Sequence, residues 1–286
     1  MATLTLQRFD DTNGFTQVAE LFLMRDEAAH CLQIGLLGGL SAGEWRDNIF
    51  MAVVYADEEP ALIALRTPPH ALILSACTTP EALSRLAAHV GTLPASDLPG
   101  EVMGPASVVT AFAAHWTAHP TRTAKPAAQE RIYRLDSVTP VADVPGKAVP
   151  AGPTDKALLI DWFSAFHSEA LPNESFDAAR TVERWLSQPG RRELWFWQID
   201  GETVSLAGAG NPTRNGIRLG PVYTPLEHRR QGYASALVAW LSQRQLDAGR
   251  QFCTLFTDLG NPTSNHIYTE IGYRPVVDIL KYRLTG

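Results

Sequence analysis

Hydrophobic and polar positions along the chain follow two different periods, and each change of period predicts a change of secondary structure. Apolar residues spaced three and four positions apart predict helices, as in Leu158, Leu159 and Trp162. Short apolar runs bounded by Gly, Pro or acidic turns predict strands. In the N-terminal half these patterns predict helices at about 15–40, 80–90 and 105–116, and strands at 49–56, 61–66, 71–76 and 130–135.

The C-terminal half repeats this order of elements. The predicted elements are helices at 155–169 and 177–186, strands at 193–199, 203–210 and 216–223, a helix at 232–248, a strand at 252–257, a helix at 263–271 and a strand at 276–284. The last predicted strands are also alike, with Ile132-Tyr133-Arg134-Leu135 in one half and Lys281-Tyr282-Arg283-Leu284 in the other. The shared order predicts a divergent internal duplication of about 140 residues.

The boundary between the halves lies in 137–153, which contains four prolines and two glycines and shows little periodicity. This composition predicts a linker over the surface. We therefore expect domains at 1–138 and 153–286, joined by a linker at 139–152. The mixture of strands and helices predicts an α+β fold, in which each domain has a mostly antiparallel mixed sheet flanked by helices.

Composition and charge narrow the class of function. The 286 residues carry 30 acidic and 24 basic side chains, a net charge of −6, which argues against nucleic acid as a partner. No apolar run reaches the roughly 18 residues of a membrane span, and the acidic N-terminus does not resemble a secretory signal, so we expect a cytoplasmic protein. The three cysteines are far apart and the eight histidines show no metal-binding spacing, so we expect free thiols and no metal.

The segment after the third predicted strand of the C-terminal half has the character of an anion site. The strand ends at Val222-Tyr223-Thr224, and the basic turn Arg229-Arg230-Gln231-Gly232 leads into a helix that begins Tyr233-Ala234-Ser235. The first amide groups of a helix are unpaired and carry positive partial charge. Gly232 lets a bulky anion approach, the small first-turn residues leave room, and the two arginines add charge. The segment therefore predicts a diphosphate ligand, with an exposed basic turn that caps a core helix as the alternative.

Two motifs in this half resemble the GNAT superfamily of acyl-CoA-dependent N-acyltransferases. Arg229-x-x-Gly232-x-Ala234, between a strand and a helix, is similar to the family's [QR]-x-x-G-x-[GA] loop, which binds the pyrophosphate of coenzyme A. A second block matches the family at five positions, which are Asn261, Ser264, Tyr268, Gly272 and Tyr273. The resemblance implies a GNAT acetyltransferase domain at 153–286. It also implies acetyl-CoA or another acyl-CoA as co-substrate, and direct attack of an amine on the thioester carbon.

The resemblance also implies roles for individual residues. Tyr268 is the implied general acid, which protonates the departing thiolate, and the Val222 N–H is the implied oxyanion donor. The residues implied to contact coenzyme A are the backbone of Val222, Tyr223 and Thr224 and the side chains of Asn261 and Ser264 along the pantetheine arm, and Arg229, Arg230, Gln231, Gly232, Tyr233, Ala234 and Ser235 around the pyrophosphate.

The general base is left open by the sequence. Arg218 stands where some relatives have a glutamate on the strand before the loop. Glu227 in the turn is one alternative, and His167, Glu169 and Glu174 in the helical region that covers the family's acceptor site are others, as is a water chain. Arg218 could instead meet a carboxylate on the acceptor.

Two strands of this half have an unusual composition. Alternation places Trp195 and Trp197 on one face of their strand and Phe196 on the other, which predicts packing, with stacking on the acceptor as the alternative. The run Ala207-Gly208-Ala209-Gly210 is small throughout, which either a close ligand or a bulge would explain.

The N-terminal half lacks both motifs, because Cys77-Thr78-Thr79-Pro80-Glu81-Ala82 follows its third strand and Glu81 would repel a diphosphate. We expect this half to keep a related fold without a cofactor site, and either to complete the acceptor cleft or to dimerise, so that the protein is a monomer or a homodimer. The expected function is acyl transfer to the primary amine of a small molecule. The alternatives are an acyl-CoA-binding sensor without turnover and a protein N-terminal or lysine acetyltransferase.

Overall fold

The computed structural model describes residues 2–44, 48–170 and 176–286, and its packing divides the chain into two units. Unit 1 comprises Met1–Ile132, Thr257–Gly260 and Val276–Gly286. Unit 2 comprises Tyr133–Phe256 and Asn261–Pro275. Each unit contains a mostly antiparallel sheet flanked by helices, so the predicted fold class is confirmed.

The two halves of the chain share one order of elements. The first half contains β1 (Leu4–Arg8), α1 (Thr12–Leu23), α2 (Cys31–Ser41), β2 (Phe50–Ala56), β3 (Glu59–Arg66), β4 (Leu72–Leu74), α3 (Glu81–Val90), β5 (Glu101–Pro105), α4 (Ala106–Thr117) and β6 (Thr123–Leu135). The second half contains β7 (Lys147–Pro150), α5 (Lys156–Ala170), α6 (Ala178–Leu186), β8 (Arg192–Ile199), β9 (Glu202–Gly210), β10 (Gly216–Tyr223), α7 (Tyr233–Asp247), β11 (Phe252–Asp258), α8 (Pro262–Ile271) and β12 (Arg274–Thr285). The repeated order is that expected of a duplication.

The helix predicted at 15–40 is two helices in the structure. α1 ends at Leu23 and α2 begins at Cys31. Between them the buried ring of His30 turns back, and its Nδ1 lies 2.9 Å from the carbonyl oxygen of Leu23. The apolar residues of both helices pack into one core, so the helical period continues across the break and conceals it.

Three strands, β1, β5 and β7, were not predicted. β7 lies in the segment expected to be a linker and pairs antiparallel with β8, from Lys147 opposite Gln198 to Pro150 opposite Trp195. The nearby valines of this segment pack against the core of unit 2, and they are Val138, Val141 and Val144. The segment 139–152 is therefore part of the sheet and core of unit 2, while the domain limits 1–138 and 153–286 stay a prediction.

In unit 2 the strands are ordered β11-β10-β9-β8-β7. β10 is parallel to β11, and the other neighbouring pairs are antiparallel. One face of this sheet packs against α7 and α8 around Leu237, Leu241 and Ile271. The other face packs against α5 and α6 around Leu159, Phe163 and other apolar side chains.

The last strand of the second half belongs to unit 1. There the strands are ordered β1-β2-β3-β4-β5-β12, and β12 pairs antiparallel with β5 from Ile279 opposite Pro105 to Arg283 opposite Glu101. Conversely, Tyr133 at the end of β6 is buried in the core of unit 2. Of the similar last segments, residues 133–135 thus lie in unit 2, whereas residues 281–284 lie in unit 1.

The small residues of β9 are explained by packing. An ideal Cβ on Gly208 would lie 2.9 Å from the Trp185 ring of α6 and 3.0 Å from a methyl carbon of Leu194. The neighbouring strand β10 also has a bulge between Leu219 and Val222. That bulge lies in β10 and not in the run of small residues, so the contact with Trp185 is the explanation that the structure supplies.

This packing generates a prediction. We expect Gly208→Ala to destabilise the protein by about 1–3 kcal/mol, because the added methyl group overpacks the contact with Trp185. Urea unfolding followed by tryptophan fluorescence measures the change in the free energy of unfolding. Gly152→Ala is the matched control, since a Cβ there meets nothing within 4 Å. Equal stability of both variants would contradict this account of β9.

Candidate functional site

The site begins where β10 and β11 stop pairing. Among the described residues their parallel pairing covers Gly216–Arg218, and beyond this point the pairs of β10 are with β9. The bulge of β10 follows directly, so the strand changes its path as it leaves β11. Val222 and Tyr223 thus keep one edge on β9, while their other edge lies outside the parallel ladder. A strand edge of this kind can receive the amide groups of an extended ligand.

The loop after β10 presents the start of α7 without a side-chain cap. Arg230 and Gly232 both have left-handed backbone conformations, with φ of 63° and 84°. Gly232 is the N-cap residue of α7, and no described side chain caps it. The amides of the first turn therefore keep their capacity to bind an anion, which is the arrangement that the sequence predicts.

Gly232 is needed at this position for two reasons. Its φ lies in the region that favours glycine. An ideal Cβ there would also lie 3.0 Å from a methyl carbon of Val144, in the segment before β7. The loop is thus held from behind by the segment that was expected to be a linker.

The side chain of Arg229 is occupied by protein groups. Its Nε donates to the carbonyl oxygen of Thr224 at 2.8 Å, and its Nη2 lies 2.9 Å and 2.8 Å from the two carboxylate oxygens of Glu169 in the last turn of α5. Arg230, in contrast, is exposed. Among the other loop residues, the buried Tyr233 donates its hydroxyl to Oε1 of Gln231 at 2.9 Å.

The end of β10 is also held from β9. Ser205 is fully buried, and its hydroxyl donates to the carbonyl oxygen of Tyr223 at 3.2 Å and lies 2.9 Å from the hydroxyl of Thr224. Sequence reasoning missed this serine. Its partners lie 18 and 19 residues away in the chain, so no local pattern indicates the contact.

Tyr268 lies inside the core of unit 2, on α8. Its ring packs edge-on against that of Tyr273, with centroids 6.0 Å apart. Burial raises the pKa of Tyr268 to about 12. The phenol therefore keeps its proton throughout the neutral and moderately alkaline range, as a general acid requires.

The other residues of the second block shape α8. Asn261 is its N-cap, and its side-chain oxygen accepts a hydrogen bond from the Ser264 amide at 3.0 Å. Gly272 ends the helix in a left-handed conformation with φ of 109°. The Tyr273 hydroxyl lies 2.8 Å from the Ser242 hydroxyl of α7. The spacing of these residues thus matches a helix that is capped by Asn261 and Gly272 and carries Tyr268.

The candidates for the general base have different surroundings. Glu169 is paired with Arg229. His167 is buried and stacks on Phe176 with centroids 4.2 Å apart, and Glu227 is exposed. Glu174 lies outside the described residues. None of the candidates within the described residues lies on β10, and the identity of the base remains a prediction.

Arg218 and Phe256 lie on the face of the sheet opposite α7. The Arg218 guanidinium is 5.7 Å from the centre of the Phe256 ring. Thr254, the partner of Arg218 in the parallel ladder, is buried, and its hydroxyl has no hydrogen-bond partner among the described residues. Whether Arg218 meets an acceptor carboxylate stays a prediction.

The aromatic run on β8 alternates as predicted. Trp197 is in the core that faces α7, and its Nε1 donates to the carbonyl oxygen of Pro145 at 2.9 Å. Phe196 is in the opposite core, where the ring of Trp162 meets it edge-on with centroids 5.7 Å apart. Trp195 packs against Trp240, with centroids 4.6 Å apart. These contacts support the packing interpretation.

In unit 1 the corresponding loop is built differently. It joins β4 to α3, and Glu81 occupies the first turn of that helix. The Thr79 hydroxyl donates to the Glu81 carboxylate at 2.5 Å and lowers its pKa. The Ala76 amide donates to Nε2 of His30 at 3.0 Å. Both helices start without a side-chain cap, but α3 carries the Glu81 carboxylate in its first turn and α7 carries no acidic residue there.

Two general features concern membranes and metals. Within the described ranges, no helix has both the length and the apolar character needed to cross a membrane. The same residues contain no group of three or more His, Cys, Asp or Glu side chains placed to hold a metal ion.

Several known proteins that resemble this chain in sequence or in fold belong to one family. Residues 157–273 match the model of the Acetyltransferase (GNAT) family. A GNAT-family acetyltransferase from Colwellia psychrerythraea has a TM-score of 0.62 at 11% identity, over 98% of this chain and 100% of its own. A GCN5-related N-acetyltransferase from Sphaerobacter thermophilus has a TM-score of 0.60 at 16% identity, over 98% and 95%.

A tandem GNAT protein from the clavulanic acid biosynthesis pathway has a TM-score of 0.63 at 12% identity, over 99% of this chain and 98% of its own. No curated protein matches the chain. The fold of the chain is thus that of GNAT proteins, including a tandem one. Residues 157–273 form a domain of the GNAT acetyltransferase family, which confirms the resemblance seen in the sequence.

The buried phenols of unit 2 generate a prediction about pH. Burial raises the pKa of Tyr268 to about 12 and raises that of Tyr273 as well. An unfolded tyrosine ionises near pH 10, so these residues contribute stability that is complete below about pH 10 and is lost as the pH rises further. In an alkaline titration followed by tyrosinate absorbance, we expect the absorbance change of Tyr268 and Tyr273 to appear only when the protein unfolds.

The matched variant is Tyr268→Phe. We expect it to remove one late-titrating group and to raise the pH at which the protein unfolds. Complete ionisation of all seven tyrosines near pH 10, with circular dichroism still native, would contradict the buried position of Tyr268.

Proposed function

We propose that this protein transfers an acetyl or other acyl group from acyl-CoA to the primary amine of a small molecule, by direct attack of the amine on the thioester. The observation that carries the proposal is the uncapped start of α7 behind a loop with two left-handed residues, Arg230 and Gly232. Backbone amides at such a position suit the pyrophosphate of coenzyme A. The GNAT family match over 157–273 supports the same ligand.

The pantetheine arm would lie along the end of β10. Val222, Tyr223 and Thr224 would pair with its amides on the edge that has left β11, as an added strand would. Asn261 and Ser264, at the start of α8, would contact the arm from the other side. This placement would bring the thioester towards Tyr268 and the Val222 N–H.

The reaction needs an aligned amine, a donor for the oxyanion and a route for two protons. The amine nitrogen forms a bond to the thioester carbon while the Val222 N–H stabilises the negative oxygen. The carbon–sulfur bond then breaks, and Tyr268 gives its proton to the thiolate. The proton released by the amine passes to a water chain or to one of the candidate bases.

A small amine fits the charge of the chain. The net charge of −6 would attract a cationic amine over a long range. The N-terminal half would not bind a second acyl-CoA, because the Glu81 carboxylate lies at the start of α3. A protein acceptor, or binding without turnover, would be the function if a panel of small amines gives no product.

The first experiment is calorimetric titration of the protein with acetyl-CoA. We expect one site per chain. In Gly232→Asp the carboxylate would stand about 4 Å from a phosphate, which costs about 4 kcal/mol at an effective dielectric constant of 20. Binding should then weaken by about 1,000-fold.

Gly152→Asp, in the same unit, is the charge control and should bind normally. Two sites per chain would contradict the assignment of the N-terminal half. Normal affinity in Gly232→Asp would contradict the phosphate loop. If acetyl-CoA does not bind to the unmodified protein, a panel of longer acyl-CoAs tests the acyl group.

The second experiment concerns Tyr268. Replacement by Phe keeps the ring and its packing but removes the acid, so we expect kcat to fall by about 10²–10⁴-fold. The affinity for acetyl-CoA should be unchanged. Tyr273→Phe is the matched control, because its hydroxyl contacts Ser242 of α7. Equal kcat in Tyr268→Phe and the unmodified protein would remove Tyr268 from the mechanism.

A further inference from the structure

The two adjacent arginines of the loop have different surroundings. Arg229 is half-buried, and it contacts Thr224 on one side and Glu169 on the other. Its guanidinium also lies 5.9 Å from the centre of the Tyr223 ring. Arg230 is exposed and has a left-handed backbone. From the sequence, both residues were expected to have the same role, as positive charges for a phosphate.

We infer that Arg229 is a positioning residue, which ties the cofactor loop to α5, and that Arg230 alone supplies side-chain charge to the diphosphate. The inference rests on the proposed function. It changes the role of Arg229 from a ligand of coenzyme A to a connection between the cofactor loop and the helix that leads to the acceptor region.

The hydrogen bonds of Arg229 make this connection specific. Nε holds the carbonyl oxygen of Thr224, the residue that follows β10, while Nη2 holds the Glu169 carboxylate. The rigid fork of a guanidinium can do both at once, whereas a lysine has a single ammonium group. α5 also contacts the strand end directly, because the ring of Trp162 lies 5.8 Å from that of Tyr223.

Charge argues against a phosphate role for Arg229. Its Nη2 is shared between both oxygens of Glu169, so the carboxylate neutralises the positive charge where the phosphate would need it. A move of Arg229 to a phosphate would also leave Glu169 and the Thr224 carbonyl without these hydrogen bonds. Arg230 is on the same loop but is exposed to solvent, and it does not make the contacts that Arg229 makes with Glu169 and Thr224.

Binding of a diphosphate at the loop should therefore reduce the mobility of the last turn of α5. A diphosphate that immobilises the loop would immobilise Arg229, and through it Glu169. Substitution of Arg229 or of Glu169 removes the ion pair between them. Because the two variants lose the same interaction, the double variant should show no larger effect on α5 than either single variant. Arg230 lies outside the route.

The test uses acetyl-CoA and needs no acceptor. Hydrogen exchange of α5 is measured with and without saturating acetyl-CoA, and the dissociation constant is measured by calorimetry. In the unmodified protein and in Arg230→Gln we expect acetyl-CoA to slow exchange in the last turn of α5. In Glu169→Gln, Arg229→Gln and the double variant we expect no such slowing, with dissociation constants within about threefold of the unmodified protein.

The affinity for acetyl-CoA should respond differently to substitution of the two arginines. We expect Arg230→Gln to weaken acetyl-CoA binding by about tenfold and to reduce its salt dependence, because an exposed charge near a phosphate is lost. Arg229→Lys keeps the charge but not the two-sided contact, so it should behave as Arg229→Gln does. If Arg229→Gln weakens binding tenfold and Arg229→Lys restores it, Arg229 is a phosphate ligand and the inference is wrong.

Two further outcomes are decisive. Slowed exchange of α5 in Glu169→Gln at saturation would also overturn the inference. Failure of the unmodified protein to bind any acyl-CoA would overturn the proposed function instead. Glu169→Gln leaves Arg229 in place, so it tests the connection even if the Arg229 variants do not fold.

Discussion

The parallel pairing of β10 with β11 ends at Arg218, and the rest of the candidate site depends on this early end. A strand that continued in register would use both of its edges inside the sheet. Because β10 instead turns away through its bulge, the backbone near Val222 keeps one edge for a ligand. The same change of path leads the chain into the loop before α7.

An open strand end must be held in place by other groups, and two side chains do this. The Ser205 hydroxyl binds the carbonyl of Tyr223, and the Arg229 guanidinium binds that of Thr224. Both carbonyls retain a second lone pair. These two hydrogen bonds hold the strand end in place, so a ligand that paired with it would cost little conformational entropy.

Local signals in the sequence predicted much of this architecture. The elements from β10 to α8 could be predicted because each has a pattern made by residues adjacent in the sequence. These patterns are an apolar strand, a basic loop with glycine, and a helix with an asparagine at its start. Contacts between distant residues were not predictable in this way. Arg229 and Glu169 are 60 residues apart, and no local pattern indicates that Arg229 pairs with a carboxylate while Arg230 stays exposed. β7 was missed because a four-residue edge strand among prolines has too few positions to show a period.

The place of β12 in the sheet of unit 1 has a consequence for folding. The sheet of unit 1 needs β12, and the Trp116 indole of α4 donates to a carbonyl oxygen 169 residues later in the chain, on Thr285. The sheet of unit 1 therefore stays incomplete until the distant β12 has been synthesised, and until then β5 lacks this neighbour. Such long-range closure slows folding, and a strand edge that waits for its partner makes the folding intermediate prone to aggregation until β12 pairs.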